Sequence, residues 1–163
     1  KVLFISSGAV YEGQTEYAKH KRHWETQCVD IARLFSFVGP RLNRHVVYDF
    51  IKAAKEGKPL EVWGDGSTVR SYLYGSDLGS WLWKILLEGN GVYNIGSAIP
   101  YTILETARIV ADIIPAKIVV LGNRSPSTVY LPNTKRARYE LGCKETVGLE
   151  EAIRRTICES QIS

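Results

Sequence analysis

Apolar and polar positions along the chain fall into short runs whose period changes from two to about 3.6 and back. The run Lys1-Val2-Leu3-Phe4-Ile5 has strand character and stops at Ser6-Ser7-Gly8. Residues 16–28 then place Tyr17, Lys21 and Trp24 along one side of a helix. Residues 29–35 read as a second buried strand, ended by Gly39-Pro40. Residues 46–56 predict a helix stopped by Gly57, with Pro59 two positions on. Residues 60–63 and 70–74 read as two strands around the turn-forming cluster Gly64-Asp65-Gly66-Ser67. Asp77 is expected to cap a helix running to about residue 87, followed by a short strand over Val92–Ile95 and a helix over 103–114. A strand over 117–121, a short helix over 134–141 and a last helix from 149 to about 158 complete the pattern. Strands and helices alternate, which is the α/β pattern. The chain shows neither an internal repeat nor a low-complexity linker.

Composition agrees with a packed domain: of 163 residues 45% are hydrophobic and 23% charged, which excludes disordered, collagenous and coiled-coil classes. The net charge of +4 is spread along the chain apart from Lys19, Lys21 and Arg22, and so does not point to nucleic acid. Cys28, Cys143 and Cys158 lie far apart with no metal-ligand spacing, so reduced thiols and a cytoplasmic setting are expected, with no metal. No apolar run reaches the roughly 18 residues of a membrane span. The sequence contains no Met, which is expected of a piece of a longer chain.

Chemistry is most visible at Tyr17 and Lys21, whose i, i+4 spacing puts a phenol and an ammonium on one helix face. A cation beside a phenol favours the phenolate, the form that takes up a proton. Tyr48 and Lys52 repeat the spacing, but no hydroxyl-bearing strand end precedes them and they read as ordinary helix-surface residues.

Tyr17 differs in its surroundings. Before it stands Ser6-Ser7-Gly8-Ala9-Val10-Tyr11, and after it Arg33-Leu34-Phe35-Ser36-Phe37-Val38-Gly39-Pro40. Further on come Gly64-Asp65-Gly66 leading to Arg70 and Asp77, then Val92-Tyr93-Asn94-Ile95-Gly96, then a closing segment from Tyr130 to Gly142. In this order the motifs resemble the extended short-chain dehydrogenase/reductases that act on nucleotide sugars, the NAD-dependent epimerase/dehydratase family. The resemblance covers practically the whole chain. It implies the C-terminal portion of a Rossmann-like doubly wound parallel sheet with a smaller α/β substrate-binding lobe. Residues 1–40 are then the end of the dinucleotide-binding domain, and 41–163 mostly the substrate lobe, interleaved with remaining Rossmann elements.

Carried over position by position, the resemblance makes Ser7 the catalytic hydroxyl, Tyr17 the acid/base and Lys21 the residue that holds the nicotinamide ribose of NAD, with NADP as an alternative. Phe35 falls where the backbone meets the nicotinamide. Arg70 and Arg124 take the places of diphosphate-binding arginines, a role the forked guanidinium suits. Ser36, Trp63, Asn94 and Tyr130 complete the implied nucleotide-sugar site, with Ser36 standing where the family has Asn. A homodimer built on the helices of Tyr17 and Val46 is implied, with Trp24 and Tyr48 as their large aromatics.

The departures carry expectations too. Ser7 and Tyr17 are 10 positions apart, shorter than the family pattern, and the chain has no Gly-x-x-Gly-x-x-Gly turn for the NAD pyrophosphate. An N-terminal segment of roughly a hundred residues and several internal loops are therefore expected to lie outside this chain. Members that eliminate water carry Asp-Glu directly after the catalytic hydroxyl, where this chain has Gly8-Ala9. That favours 4-epimerisation or reduction of a 4-keto sugar, with 4,6-dehydration or a non-catalytic binding relative as alternatives.

Overall fold

In chain order the elements are β1 (Leu3–Ser7), α1 (Ala9–Glu12), α2 (Glu16–Glu25), β2 (Asp30–Leu34), β3 (Phe37–Val38), α3 (Val46–Lys55), β4 (Leu60–Val62), β5 (Val69–Arg70) and β6 (Leu73–Tyr74). There follow α4 (Gly75–Glu88), β7 (Val92–Ile95), β8 (Tyr101–Thr102), α5 (Ile103–Ile113), β9 (Ile118–Val120), β10 (Val129–Tyr130), α6 (Lys135–Leu141) and α7 (Leu149–Glu159). They come from a computed structural model that describes residues 1–42, 45–122 and 127–159.

The sheet that positions the site is β1-β2-β7, parallel throughout. Leu3 pairs with Asp30 and Ser7 with Leu34, while Ile31 pairs with Val92 and Leu34 with Ile95. Because side chains alternate along a strand, one face of this register carries Ala32, Tyr93 and Ile95. These pack on Trp81 and Ile85 of α4 and on Ala137 and Leu141 of α6. The opposite face carries Arg33, paired with Asn94 across the β2–β7 ladder. Here α2 lies against β1, and its last residue, Glu25, meets Arg33. A second core gathers α3, α5 and α7 around the parallel pair β4–β9, with Phe50, Leu60, Val62, Val110 and Ile153 inside.

Local chemistry explains most of the boundaries. Thr15 caps α2 by accepting from the Ala18 N–H at 3.1 Å. The helix ends at Glu25, three residues short of the sequence expectation, because Thr26, Gln27 and Cys28 donate to carbonyls three positions back and tighten the last turn. Gly57 ends α3 as expected: at φ 67° it adopts the left-handed conformation that glycine enters without a Cβ penalty. A reciprocal capping box between Thr102 and Glu105 starts α5.

Three expectations are corrected. Residues 60–63 and 70–74 do not pair around the glycine cluster: β4 pairs with β9, and the second run breaks in two. Val69–Arg70 joins β10 and β8, whereas Leu73–Tyr74 joins β3, with buried Ser71 and Tyr72 making the crossing between sheets. Asp77 does not cap α4, whose N-cap is Tyr74. Its buried carboxylate instead accepts from the Thr146 N–H at 2.8 Å, the Thr146 hydroxyl at 2.5 Å and the Val147 N–H at 3.1 Å, tying α4 to the chain before α7. The one-turn helix α1, between Ser7 and Tyr17, has no counterpart in the sequence pattern.

Candidate active site

Over the carboxyl ends of β1 and β2 and along β7 lies a cleft of about 740 Å³, lined among others by Gly8, Tyr11, Arg33, Phe35, Asn94 and Tyr130. In its lining, the ring of Tyr130 packs against that of Phe35, tilted by 31° with centroids 4.6 Å apart. Both press on Gly8. A β-carbon at that position would meet the Tyr130 hydroxyl in overlap and stand 2.6 Å from Phe35 Cζ, so only glycine fits. Ser7 ends β1 beside them. Its Oγ accepts from the Ala9 N–H at 3.2 Å.

Tyr17 opens α2 and is 55% exposed. One turn further, the Lys21 ammonium donates to the Ile5 carbonyl at 2.8 Å and lies 5.8 Å from the centre of the Tyr17 ring and 5.2 Å from that of Phe4. The phenol and the ammonium therefore share the end of β1 with Ser7. Arg70 approaches from β5, half-buried, with its guanidinium 5.7 Å over the Tyr130 ring. It is held by the Val69 carbonyl at 2.8 Å and by Thr128, the carbonyl at 3.2 Å and the hydroxyl at 3.0 Å.

Four more residues were singled out in the sequence: Phe35, Ser36, Trp63 and Arg124. Phe35 gives its N–H to the Ile95 carbonyl at 2.9 Å, and its ring packs in the cleft wall. Ser36 lies outside the cleft lining and accepts the Leu73 N–H on its carbonyl at 3.2 Å. Trp63 is 68% exposed at the end of β4, among residues of the second sheet system. Arg124 lies outside the described residues.

Sequence reasoning missed a hydrogen-bonded chain that crosses the cleft. Glu25 takes both Arg33 Nε and Nη2, at 2.9 and 2.6 Å. Arg33 Nη1 donates to the Tyr11 hydroxyl at 2.8 Å, Tyr11 donates to Asn94 Oδ1 at 3.0 Å, and Asn94 Nδ2 donates to the Asn133 carbonyl at 3.1 Å. Burial raises the pKa of Glu25, but the hydrogen bonds and positive charge of Arg33 outweigh it and hold the carboxyl below its ordinary value. The same bond to Glu25 pushes the Arg33 guanidinium up, so the pair stays ionised. The signal that could have found it is the strand period, which sends Arg33 and Asn94 to one face once β2 and β7 are paired.

A nicotinamide dinucleotide can be tested against these groups. One of the three ammonium donors of Lys21 is taken by Ile5, and the remaining donor capacity beside the Tyr17 phenol suits a ribose diol. The residues present therefore fit the nicotinamide–ribose end. Among the described residues no helix is long and apolar enough to cross a membrane.

Comparison with known proteins bears on the same residues. The family model described as the NAD dependent epimerase/dehydratase family matches residues 1–96. UDP-glucuronic acid decarboxylase 4 of Arabidopsis thaliana is 33% identical over 155 residues, a match covering 84% of this chain and 35% of that protein. The chain thus spans about a third of the length of this curated relative. In fold, UDP-glucose 4-epimerase of Thermotoga maritima, solved with UDP-glucose, superposes with a TM-score of 0.85 over 98% of this chain and 62% of its own, at 20% identity. The dTDP-glucose 4,6-dehydratase of Bacillus anthracis, solved with NAD, gives 0.83 over 99% and 61%, also at 20% identity.

Proposed function

The chain belongs to the NAD-dependent epimerase/dehydratase family, and from that premise we propose that it carries the catalytic and sugar-binding part of an enzyme that oxidises C4 of a UDP-hexuronate, from which the carboxylate then leaves as CO2. The relative with 33% identity, named a UDP-glucuronic acid decarboxylase, supports the choice of substrate. The observation that carries the choice of reaction is the wall beside Ser7. Gly8 and Ala9 hold no group that moves a proton, and Tyr130 and Phe35 fill the space over Gly8. Removal of a proton from C5, which elimination of water requires, finds no base at Gly8 or Ala9; among the described residues the carboxylate of the cleft lining is that of Glu12. Loss of CO2 from a 4-keto uronate requires none, because the carboxylate is β to the ketone and the electron pair of the breaking C5–C6 bond moves toward O4.

When bound, NAD supplies the acceptor for the C4 hydride. The residues of this chain do the rest. Lys21 and Tyr17 hold the ribose, Tyr17 takes the O4 proton, and Ser7 donates a hydrogen bond to O4 as it becomes a carbonyl oxygen and later gains charge. Arg70 binds the diphosphate, and Asn94 and Tyr130 border the nucleotide and the sugar. The 4-epimerisation favoured by the motifs alone shares the C4 oxidation and differs only in the fate of the keto sugar. The test is incubation with NAD and UDP-glucuronic acid labelled with carbon-13 at the carboxyl group: labelled CO2 is the expected product, and retention of the label in an altered sugar overturns decarboxylation.

Two further results follow. Arg70→Ala weakens nucleotide-sugar binding by roughly 2 to 3 kcal/mol, the scale of charge-assisted hydrogen bonds. Calorimetric titration checks this, and equal affinities in the two proteins exclude the diphosphate role. The protein also pairs with a second copy through the helices α2 and α3, where Trp24 is 56% exposed and Tyr48 half-buried. Sedimentation at micromolar concentration shows a dimer if this is right and a monomer if it is not.

A further inference from the structure

We propose that Arg33 and Tyr11 are positioning residues for Ser7: one guanidinium ties the helix that carries Tyr17 and Lys21 to the one-turn helix that follows Ser7, and so sets where the Ser7 hydroxyl stands. This deepens the proposed C4 oxidation and rests on it.

The turn after Ser7 needs an anchor. α1 has four residues, and a single helical turn does not hold itself in water, because nucleation fixes several residues for one hydrogen bond. Its own bonds are few: the Tyr11 N–H donates to the Gly8 carbonyl at 3.0 Å, and the Gly13 N–H to the Ala9 carbonyl at 3.2 Å. Of its residues only Val10 is buried. Ser7 nevertheless depends on this turn, since its Oγ accepts from the Ala9 N–H that opens it, at 3.2 Å. Placement matters at this scale: a shift of about 1 Å in a reacting group costs about a hundredfold in rate.

Arg33 supplies the anchor from β2. A planar guanidinium presents five N–H donors in a fixed fork. Two go to the Glu25 carboxylate at the end of α2, at 2.9 and 2.6 Å, and a third goes to the Tyr11 hydroxyl at 2.8 Å. Because Arg33 only donates, Tyr11 accepts there, and its own proton goes to Asn94 Oδ1 at 3.0 Å. Asn94 Nδ2 donates in turn to the Asn133 carbonyl at 3.1 Å. Every direction is thus forced, from an acceptor-only carboxylate at one end to an acceptor-only carbonyl at the other. The Arg33 and Glu25 side chains are only 20% and 9% exposed, so water competes little for their charge-assisted bonds. The guanidinium also lies 4.8 Å from the centre of the Tyr11 ring, a second hold on α1.

The test is a double-substitution cycle on turnover of UDP-glucuronic acid with NAD. Tyr11→Phe cuts the link while the Arg33–Glu25 pair and the bond from Asn94 to Asn133 remain; Tyr11 is 58% exposed, so little packing goes with the hydroxyl. It is expected to lower kcat about tenfold, the scale of one hydrogen bond, with KM nearly unchanged. Arg33→Lys keeps the charge but not the fork, and lowers kcat by as much or more. Tyr11→Phe combined with Ser7→Ala is no worse than Ser7→Ala alone. Losses that multiply in the double variant, a change in KM alone, or a fully active Tyr11→Phe variant overturn the proposal. Hydrogen exchange at the Ala9 amide reads the same link without any turnover. Exchange is expected to quicken about tenfold on Tyr11→Phe and to stay at the wild-type rate on Tyr48→Phe. An inert wild-type protein with this exchange pattern refutes the proposed reaction and leaves the anchoring of the turn after Ser7 standing, whereas an unchanged Ala9 rate on Tyr11→Phe overturns the proposal whatever the turnover.

Discussion

Tyr17→Phe is expected to abolish turnover while leaving the fold and nucleotide-sugar binding intact. The substitution removes one hydroxyl from a side chain that is 55% exposed, so little packing is lost. α2 remains anchored by Ala18, 1% exposed, and by the Thr15 cap. What disappears is the group that takes the O4 proton next to the Lys21 ammonium, and loss of a positioned acid/base costs about 10²- to 10⁴-fold in kcat. Tyr48→Phe is the matched control. It carries the same Tyr-x-x-x-Lys spacing, but its neighbours are Phe37, Val38 and Ile51 around a small cavity away from the cleft. Its activity stays within a few-fold of wild type. Steady-state kinetics and thermal unfolding of both variants check this, and an active Tyr17 variant beside an inactive Tyr48 variant reverses the assignment.

The second large effect is on stability. Trp81→Ala is expected to destabilise the protein by about 3 to 5 kcal/mol, the range for deleting a large buried aromatic. Trp81 is 1% exposed between the sheet and α6, and its indole N–H donates to the Lys144 carbonyl at 2.8 Å. The Arg138 guanidinium lies 5.3 Å over its ring. Truncation leaves a cavity against Tyr93, Ile95 and Leu141 and strips the Lys144 carbonyl of its donor. Trp83, two positions on in the same helix, is 64% exposed, and Trp83→Ala should change stability by no more than about 0.5 kcal/mol. Urea unfolding of the two variants separates these outcomes; equal losses contradict the packing described.

That contrast also shows what a sequence makes legible. Two tryptophans in one apolar stretch look alike by composition, yet a helix turns 3.6 residues per cycle and buries only one of them. The α/β class, the order of strands and helices and the boundaries of α3 and α5 follow from local period, capping residues and Gly57, because those signals act within a few residues. The break of residues 70–74 between two sheets does not, since which neighbour a strand pairs with is decided by tertiary packing. Asp77 reads as a helix cap by type and position, but its partners are Thr146 and Val147, some seventy residues on. The site divides the same way. Ser7, Tyr17, Lys21, Arg70 and Tyr130 are recognisable one at a time from motifs, whereas the meeting of Ser7, Gly8, Phe35 and Tyr130 depends on close approach of distant segments. The Glu25–Arg33–Tyr11–Asn94 chain depends on strand register, which no local pattern in the sequence displays.

Proton NMR in deuterated water, with NAD and UDP-glucuronic acid as substrate, tests the proposed chemistry most directly. Oxidation at C4, loss of CO2, uptake of a solvent proton at C5 and return of the hydride to C4 predict a UDP-pentose carrying one solvent deuterium at C5. A UDP-hexuronate inverted at C4 with its carboxylate retained, or conversion of UDP-glucose to a 4-keto-6-deoxy sugar in a parallel incubation, would contradict it.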